Sequence, residues 1–188
     1  MLEDLRTSCR LVRQTYRRGM KHALVVYESM FGNTEEIAEA VAEGLRGSMT
    51  VEVVEVSSAP VELSDEVGLL VVGGPTHAFS MSRPNTRADA ATKGADKQAA
   101  AAAGLREWVE QIGKGAAHPP VAAFDTKVKR PRLPGSAARA ALTRLRRAHF
   151  PVLTSAENFY VDGTAGPLLE GELDRARNWG AQCAAELS

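Results

Sequence analysis

The fold turns on VVYESMFGNTEEIAEAV, Val25 to Val41. Its apolar run stops at Tyr27. A short loop follows, Ser29–Met30–Phe31–Gly32–Asn33–Thr34, and Ile37, Val41 and Leu45 then recur every four residues until Gly47. A continuous apolar run of this length suits a strand buried on both faces, and a four-residue recurrence suits one face of a helix. The stretch therefore predicts strand, loop and helix, with Ala23–Tyr27 as the strand.

Downstream, Val51–Val56 (VEVVEV) mixes β-branched residues with acids, as expected nearer a sheet edge. Val67–Val72 is a second fully apolar run, ending in Gly73–Gly74–Pro75. About ten residues join these two strands, room for a short turn and not a full helix. Residues 80–104 are polar and Ala-rich without a clear stripe; Pro84 suits the first turn of a short helix. Leu105, Trp108, Val109 and Ile112 give a helical face that ends at Gly113. Val121–Phe124 reads as a short strand, and Ala138, Ala141, Leu142 and Leu145 as the next helix face. Pro151–Thr154 starts a last strand, extended through Phe159–Val161. Gly166–Pro167 opens a final helix with the stripe Leu169, Leu173, Ala176, Gly180, Cys183, Ala184 and Leu187.

Alternating apolar strands and amphipathic helices imply an α/β protein with a parallel sheet covered on both faces. Five strands at this spacing suggest the order 2-1-3-4-5, with right-handed crossovers and a switch point between strands 1 and 3. Ligands in such sheets sit beyond the carboxyl ends of the strands. Three loops should therefore matter: those after Tyr27, after Gly74 and after Phe124.

The whole-chain totals agree with a single domain. The chain has 188 residues, 44% of them apolar, with 23 basic and 23 acidic side chains. A chain of this size buries about 70% of its unfolded surface. Balanced charge suggests neither nucleic acid nor a membrane surface, and no apolar run nears the ~18 residues that span a bilayer. Cys9 and Cys183 lie near opposite ends and outside any CxxC, which reads as two unpaired thiols in a reducing, cytoplasmic setting. Residues 1–21, with Leu2, Leu5, Cys9 and Val12 on a faint stripe among basic residues, read as an extension, a frayed helix, preceding a domain over residues 22–188. The basic start lacks the apolar segment of a secretory signal.

The first loop joins a buried strand to a helix N-terminus, where free N–H groups and the positive helix end converge. Ser29, Asn33 and Thr34 add side-chain donors, and Gly32 permits a backbone that other residues resist. Such a loop is an anion nest suited to a phosphate. It carries no lysine and no GxGxxG, so neither the P-loop nor a dinucleotide fingerprint applies. An alternative is that Asn33 merely caps the helix, with Glu36 completing a capping box. The four histidines are scattered, and neither cysteine lies near one, so no metal cluster is expected.

Ser29, Gly32 and Thr34 match, residue by residue, the T/S-x-T-G-x-T phosphate loop of flavodoxins, and the chain resembles that family over residues 22–187. Phe31 departs, because a hydroxyl is usual there, although the loop is similar to those of flavodoxin-fold quinone reductases and of the flavodoxin domains of flavo-diiron proteins. The resemblance implies FMN, with Ser29, Met30, Phe31, Gly32, Asn33 and Thr34 at its phosphate. Pro75–Thr76 matches a dipeptide that borders the flavin ring in flavodoxin-fold reductases, which adds His77 and Phe79 as ring neighbours. Asp125, Thr126 and Lys127 would close the far side. The flavin would carry the electrons, so no catalytic side chain is implied, and the partner would be a redox protein or a small-molecule acceptor such as a quinone.

Two further features depart from the family. Flavodoxins place an aromatic in the third loop, and this chain has none there. Their third loops are acidic, whereas Lys127 to His149 holds eight Lys or Arg and no acid. That face reads as a solvated helix face, or as one where Lys127 or Arg130 neutralises an anion near the cofactor, or as one that docks an acidic partner. A binding or regulatory module with weak or lost FMN is the alternative function. His77 reads as a loop histidine. Arg83 and Arg87 read as solvated loop arginines, or as groups reaching a phosphate or an acidic substrate.

Overall fold

The computed structural model describes residues 22–77, 80–95, 102–130 and 134–187. The expected N-terminal extension and Phe79 lie outside these residues. Five strands, β1 (His22–Tyr27), β2 (Thr50–Glu55), β3 (Val67–Pro75), β4 (Val121–Val128) and β5 (Glu157–Val161), form one sheet in the order β2-β1-β3-β4-β5. Every pairing is parallel, with Val25 opposite both Val53 and Val71. The helices are α1 (Asn33–Leu45), α2 (Pro84–Thr92), α3 (Leu105–Ile112), α4 (Ala137–Arg147) and α5 (Glu172–Glu186), and a short 3-10 turn, Val56–Ser58, joins β2 to β3.

The helices cover both faces, as the apolar central strands demand. On one face Ile37, Val41 and Leu45 of α1 and Trp179 and Cys183 of α5 pack on Val25, Val71, Phe124 and Phe159. Phe124, Phe159 and Trp179 meet edge to face, with ring centroids 5.9, 6.1 and 6.3 Å apart, a geometry that adds about 0.5–1.5 kcal/mol per pair beyond burial. Burial pushes the Cys183 thiol up to about 12, which leaves it unreactive. On the other face Leu105, Trp108 and Ile112 of α3 and Leu142 and Leu145 of α4 pack on Leu24, Val26, Leu70 and Val72.

Helices α1 and α5 touch backbone to backbone. A Cβ on Gly44 would stand 2.0 Å from the Arg177 carbonyl oxygen, and one on Gly180 would stand 2.2 Å from the Val41 carbonyl oxygen. Only glycine fits at either point. Along the outer surface of α1 lie Glu35, Glu36, Glu39 and Glu43, all exposed. The exposed residues Arg139, Arg146 and Arg147 of α4 lie across the sheet from them.

Several boundaries differ from expectation: β3 runs on to Pro75, β5 starts at Glu157 and not at Pro151, and β4 and α5 differ as follows. Strand β4 continues past Phe124 to Val128, because Gly73–Pro75 on one side and Glu157–Val161 on the other both supply hydrogen-bonding partners. Asp125, Thr126 and Lys127 therefore belong to a strand and not to a loop. Helix α5 starts at Glu172, not at Gly166–Pro167, whose peptide bond is cis. The intervening residues continue the sheet edge: Leu168 bridges Val161, and the Leu169 N–H donates to the Tyr160 carbonyl at 3.0 Å.

Candidate functional site

The carboxyl ends of β1, β3 and β4 meet at the predicted switch point. There a cavity of about 280 Å³ is lined by Met30, Phe31, Asn33 and Thr34, by Pro75, Thr76 and His77, and by Thr126 and Lys127. All three sequence segments singled out as binding loops thus reach one place. Ser29, Gly32 and Asp125 do not line it.

Ser29 shapes the first loop from behind. Its Oγ accepts from the Gly32 N–H at 3.1 Å and from the Glu35 N–H at 3.4 Å. Gly32 has φ 88° with nothing near its absent side chain, so the backbone hand, and not crowding, calls for glycine. The capping box expected from Asn33 and Glu36 does not form. Gly32 immediately precedes the helix, Asn33 is its first residue, and the Asn33 side-chain amide donates to the Ala165 carbonyl at 3.0 Å. The N–H groups of Asn33 and Thr34 meet no acceptor among the described residues. They stand at the positive end of a 13-residue helix.

Side chains expected to face a ligand are partly engaged elsewhere. The Thr34 hydroxyl lies 2.7 Å from that of Thr126. The Thr76 N–H donates to the Thr126 carbonyl at 2.9 Å, and the Thr76 hydroxyl accepts from the Ala137 N–H at 2.9 Å, at the start of α4. Asp125 is fully buried beneath the site. It accepts from Ser136 Oγ, from the Ala138 N–H at 3.1 Å and from Asn158 Nδ2 at 2.9 Å. Its carboxylate caps α4. Backbone bonds of 2.8 and 3.0 Å lock His77 to Ser80. Burial pulls the His77 imidazole below its usual value against the opposing pull of Asp89, so the ring is neutral at neutral pH.

Helix α2 and the residue that follows it supply wall residues that sequence reasoning missed: Thr86, Asp89 and Lys93, the last two ion-paired at 2.7 Å. Met30, Ala90 and Ala95 form one buried cluster, and Phe31 and Ala91 pack against it. The unusual Phe31 thus helps seat α2 on the first loop. Arg87, read as solvated, is instead buried, and its Nη1 donates to Ser82 Oγ and to Glu107 Oε2, both at 3.1 Å. Glu28, directly after β1, is also buried and accepts from the Leu105 N–H at 2.7 Å. Burial pushes its carboxyl above the usual range, although Ser82, the Leu105 N–H and Arg87 pull the other way. Glu28 Oε1 and Arg87 Nε lack partners among the described residues. An acid immediately after a buried strand was the one signal for this cluster.

Among the described residues no cluster of His, Cys, Asp or Glu could hold a metal, and no helix is long and apolar enough to cross a membrane. A doubly wound sheet with its pocket at the switch point between β1 and β3 defines the flavodoxin-like fold. The flavodoxin family model matches residues 25–114. A flavodoxin from the domain Archaea superposes with a TM-score of 0.65 at 18% identity, over 88% of this chain and 98% of the other. Oxidised flavodoxin 1 from Bacillus cereus gives 0.65 at 15%, over 89% and 99%. The flavodiiron protein of Giardia intestinalis gives 0.57 at 21%, over 89% of this chain and 36% of the other. No curated protein matches the chain.

Proposed function

We propose that the chain is an FMN-binding redox protein that passes electrons to a partner protein or to a small acceptor such as a quinone. The observation that carries this reading is the convergence, around one cavity, of a helix N-terminus whose Asn33 and Thr34 N–H groups meet no acceptor among the described residues with the 75–77 segment and the end of β4. The donor chemistry fits a phosphate monoester: two N–H groups without an acceptor among the described residues, a helix dipole and a left-handed glycine form an anion nest. Asn33 and Thr34 would hold the phosphate by their N–H groups, and Lys127 offers a cation beside them. Pro75, Thr76 and neutral His77 would flank the ring, His77 as a hydrogen-bonding group without net charge. Bound FMN would supply the electron-carrying chemistry, while fixed protein dipoles tune its potential.

The alternative, a flavodoxin-fold binding module with weak FMN, has its own support. The cavity of about 280 Å³ falls just under the ~300–1,000 Å³ usual for ligand pockets. The Thr34 hydroxyl already has a partner in Thr126, and among the described residues no aromatic follows Phe124 in β4. The visible spectrum of the purified protein, followed by FMN titration, separates the two readings. A flavin band or micromolar FMN binding supports the first; neither, at high micromolar FMN, overturns it. On the basic face between residues 127 and 149, the exposed Arg146 and Arg147 suit docking of an acidic redox partner, which would make electron transfer salt-sensitive.

A further inference from the structure

A second cleft, of about 790 Å³, opens beside the first, and Lys127 and Val128 line both. Lys127, Lys129 and Arg130 reach it from the end of β4, Arg139 from the first turn of α4, and Tyr160 from β5. No carboxylate among the described residues lines it. Among the described residues none of its four cations has a carboxylate at ion-pair distance, whereas Arg46, Arg87, Lys93, Arg144, Arg175 and Arg177 each do. In a chain whose acids and bases balance one to one, four unpaired cations around one concavity are a concentration of positive field. Low-dielectric walls focus such a field onto an anion.

The nearby helix N-terminus is not the source of this affinity. The first N–H groups of α4 already donate to Thr76, Asp125 and Ser136. Binding must rest on the side-chain cations, which suits several charges spread over a ligand better than one compact ion. The cleft lies within the ~300–1,000 Å³ range of small-molecule sites, and a protein surface would not need such a concavity. Its one aromatic wall, Tyr160, has the Lys129 ammonium 5.8 Å from the ring centroid.

We propose that this cleft is a binding site for a small polyphosphate ester of nucleotide size, separate from the cavity assigned to FMN. It needs no flavin, so it stands or falls independently of the redox reading. ADP and inorganic pyrophosphate, titrated calorimetrically into the full chain at about 0.15 M salt, are the probes. ADP should bind in the micromolar range and weaken steeply as salt rises. The double variant Arg130→Ser/Arg139→Ser should lose at least about tenfold in ADP affinity, with an unchanged melting curve and an unchanged FMN titration. Both side chains are exposed, so the variant should fold. No ADP binding up to about 5 mM overturns the proposal. So does an equal loss of FMN in the double variant, which would make the cleft the flavin phosphate site. Tighter binding of an acidic peptide than of ADP at the same two arginines also overturns it, in favour of a protein-docking face.

Discussion

Replacing Arg87 by alanine should be the most damaging single change near the site. The guanidinium is 4% exposed and makes two hydrogen bonds of 3.1 Å, to Ser82 and to Glu107. Its removal leaves Glu28, itself buried, with no cation to oppose its desolvation. Deleting one member of a buried pair costs about 3–5 kcal/mol. Glu107 is 31% exposed and can turn to water, which points to the lower end, about 3 kcal/mol. At about 2–4 °C per kcal/mol for a chain of this length, the melting temperature should fall by about 6–12 °C. The loss should also depend on pH. A buried carboxyl whose folded value is raised holds its proton more firmly in the native state than in the unfolded one. That group's stability contribution is complete at low pH and is lost as pH rises through the raised value. Without Arg87 the value rises further, so the defect should be smaller at pH 5.5 than at pH 8. Adding Glu28→Gln should recover part of the loss at pH 8, and a double-mutant cycle measures that coupling. A melting shift under about 2 °C, or one equal at both pH values, would refute the claim that Arg87 neutralises buried charge.

Thr34→Asp sets a carboxylate at the proposed phosphate position. At about 4 Å and an effective dielectric near 20 the repulsion is about 4 kcal/mol; fluorescence titration should show FMN weakened by on the order of 100–1,000-fold, riboflavin hardly at all. Equal loss of both would move the phosphate elsewhere. Gly180→Ala drives a Cβ to 2.2 Å from the Val41 carbonyl oxygen, so α1 and α5 must separate, at a cost of at least about 1–3 kcal/mol by urea unfolding. Ser136→Ala removes the N-cap of α4, whose Oγ accepts from Arg139 at 3.1 Å, and should cost about 1–2 kcal/mol in the same assay. The depressed His77 value means the native state resists protonation there. Stability should fall as pH drops below about 6.5, and His77→Gln should flatten that part of the stability curve.

The sheet order was legible because Ala23–Tyr27 and Val67–Val72 carry the continuous apolar signature of buried parallel strands. The cavity was legible as three loops at one switch point. The boundary of β4 was not, because Asp125, Thr126 and Lys127 are polar. They remain in the strand because Asp125 caps α4 from beneath and Thr126 meets Thr34 across the site. Helix α2 showed no stripe because its buried contacts are a few alanines and one arginine. An arginine buried by its partners reads the same in sequence as one in water. Asn33 was readable as a helix cap, but its partner, Ala165, lies 132 residues away.

The outward glutamates of α1 and the arginines of α4 lie on opposite sides of the sheet. In a molecule with no net charge, this separation contributes a dipole moment across the sheet, although Glu39 and Glu43 are ion-paired to Arg46 and Arg177. An external field does little to pull such a molecule and much to turn it. An approaching charged partner would therefore set its orientation before contact, presenting the basic β4–β5 side to a negative partner and the glutamate side to a positive one. Retention on both anion and cation exchangers at neutral pH, each relieved by modest salt, would be the bench signature.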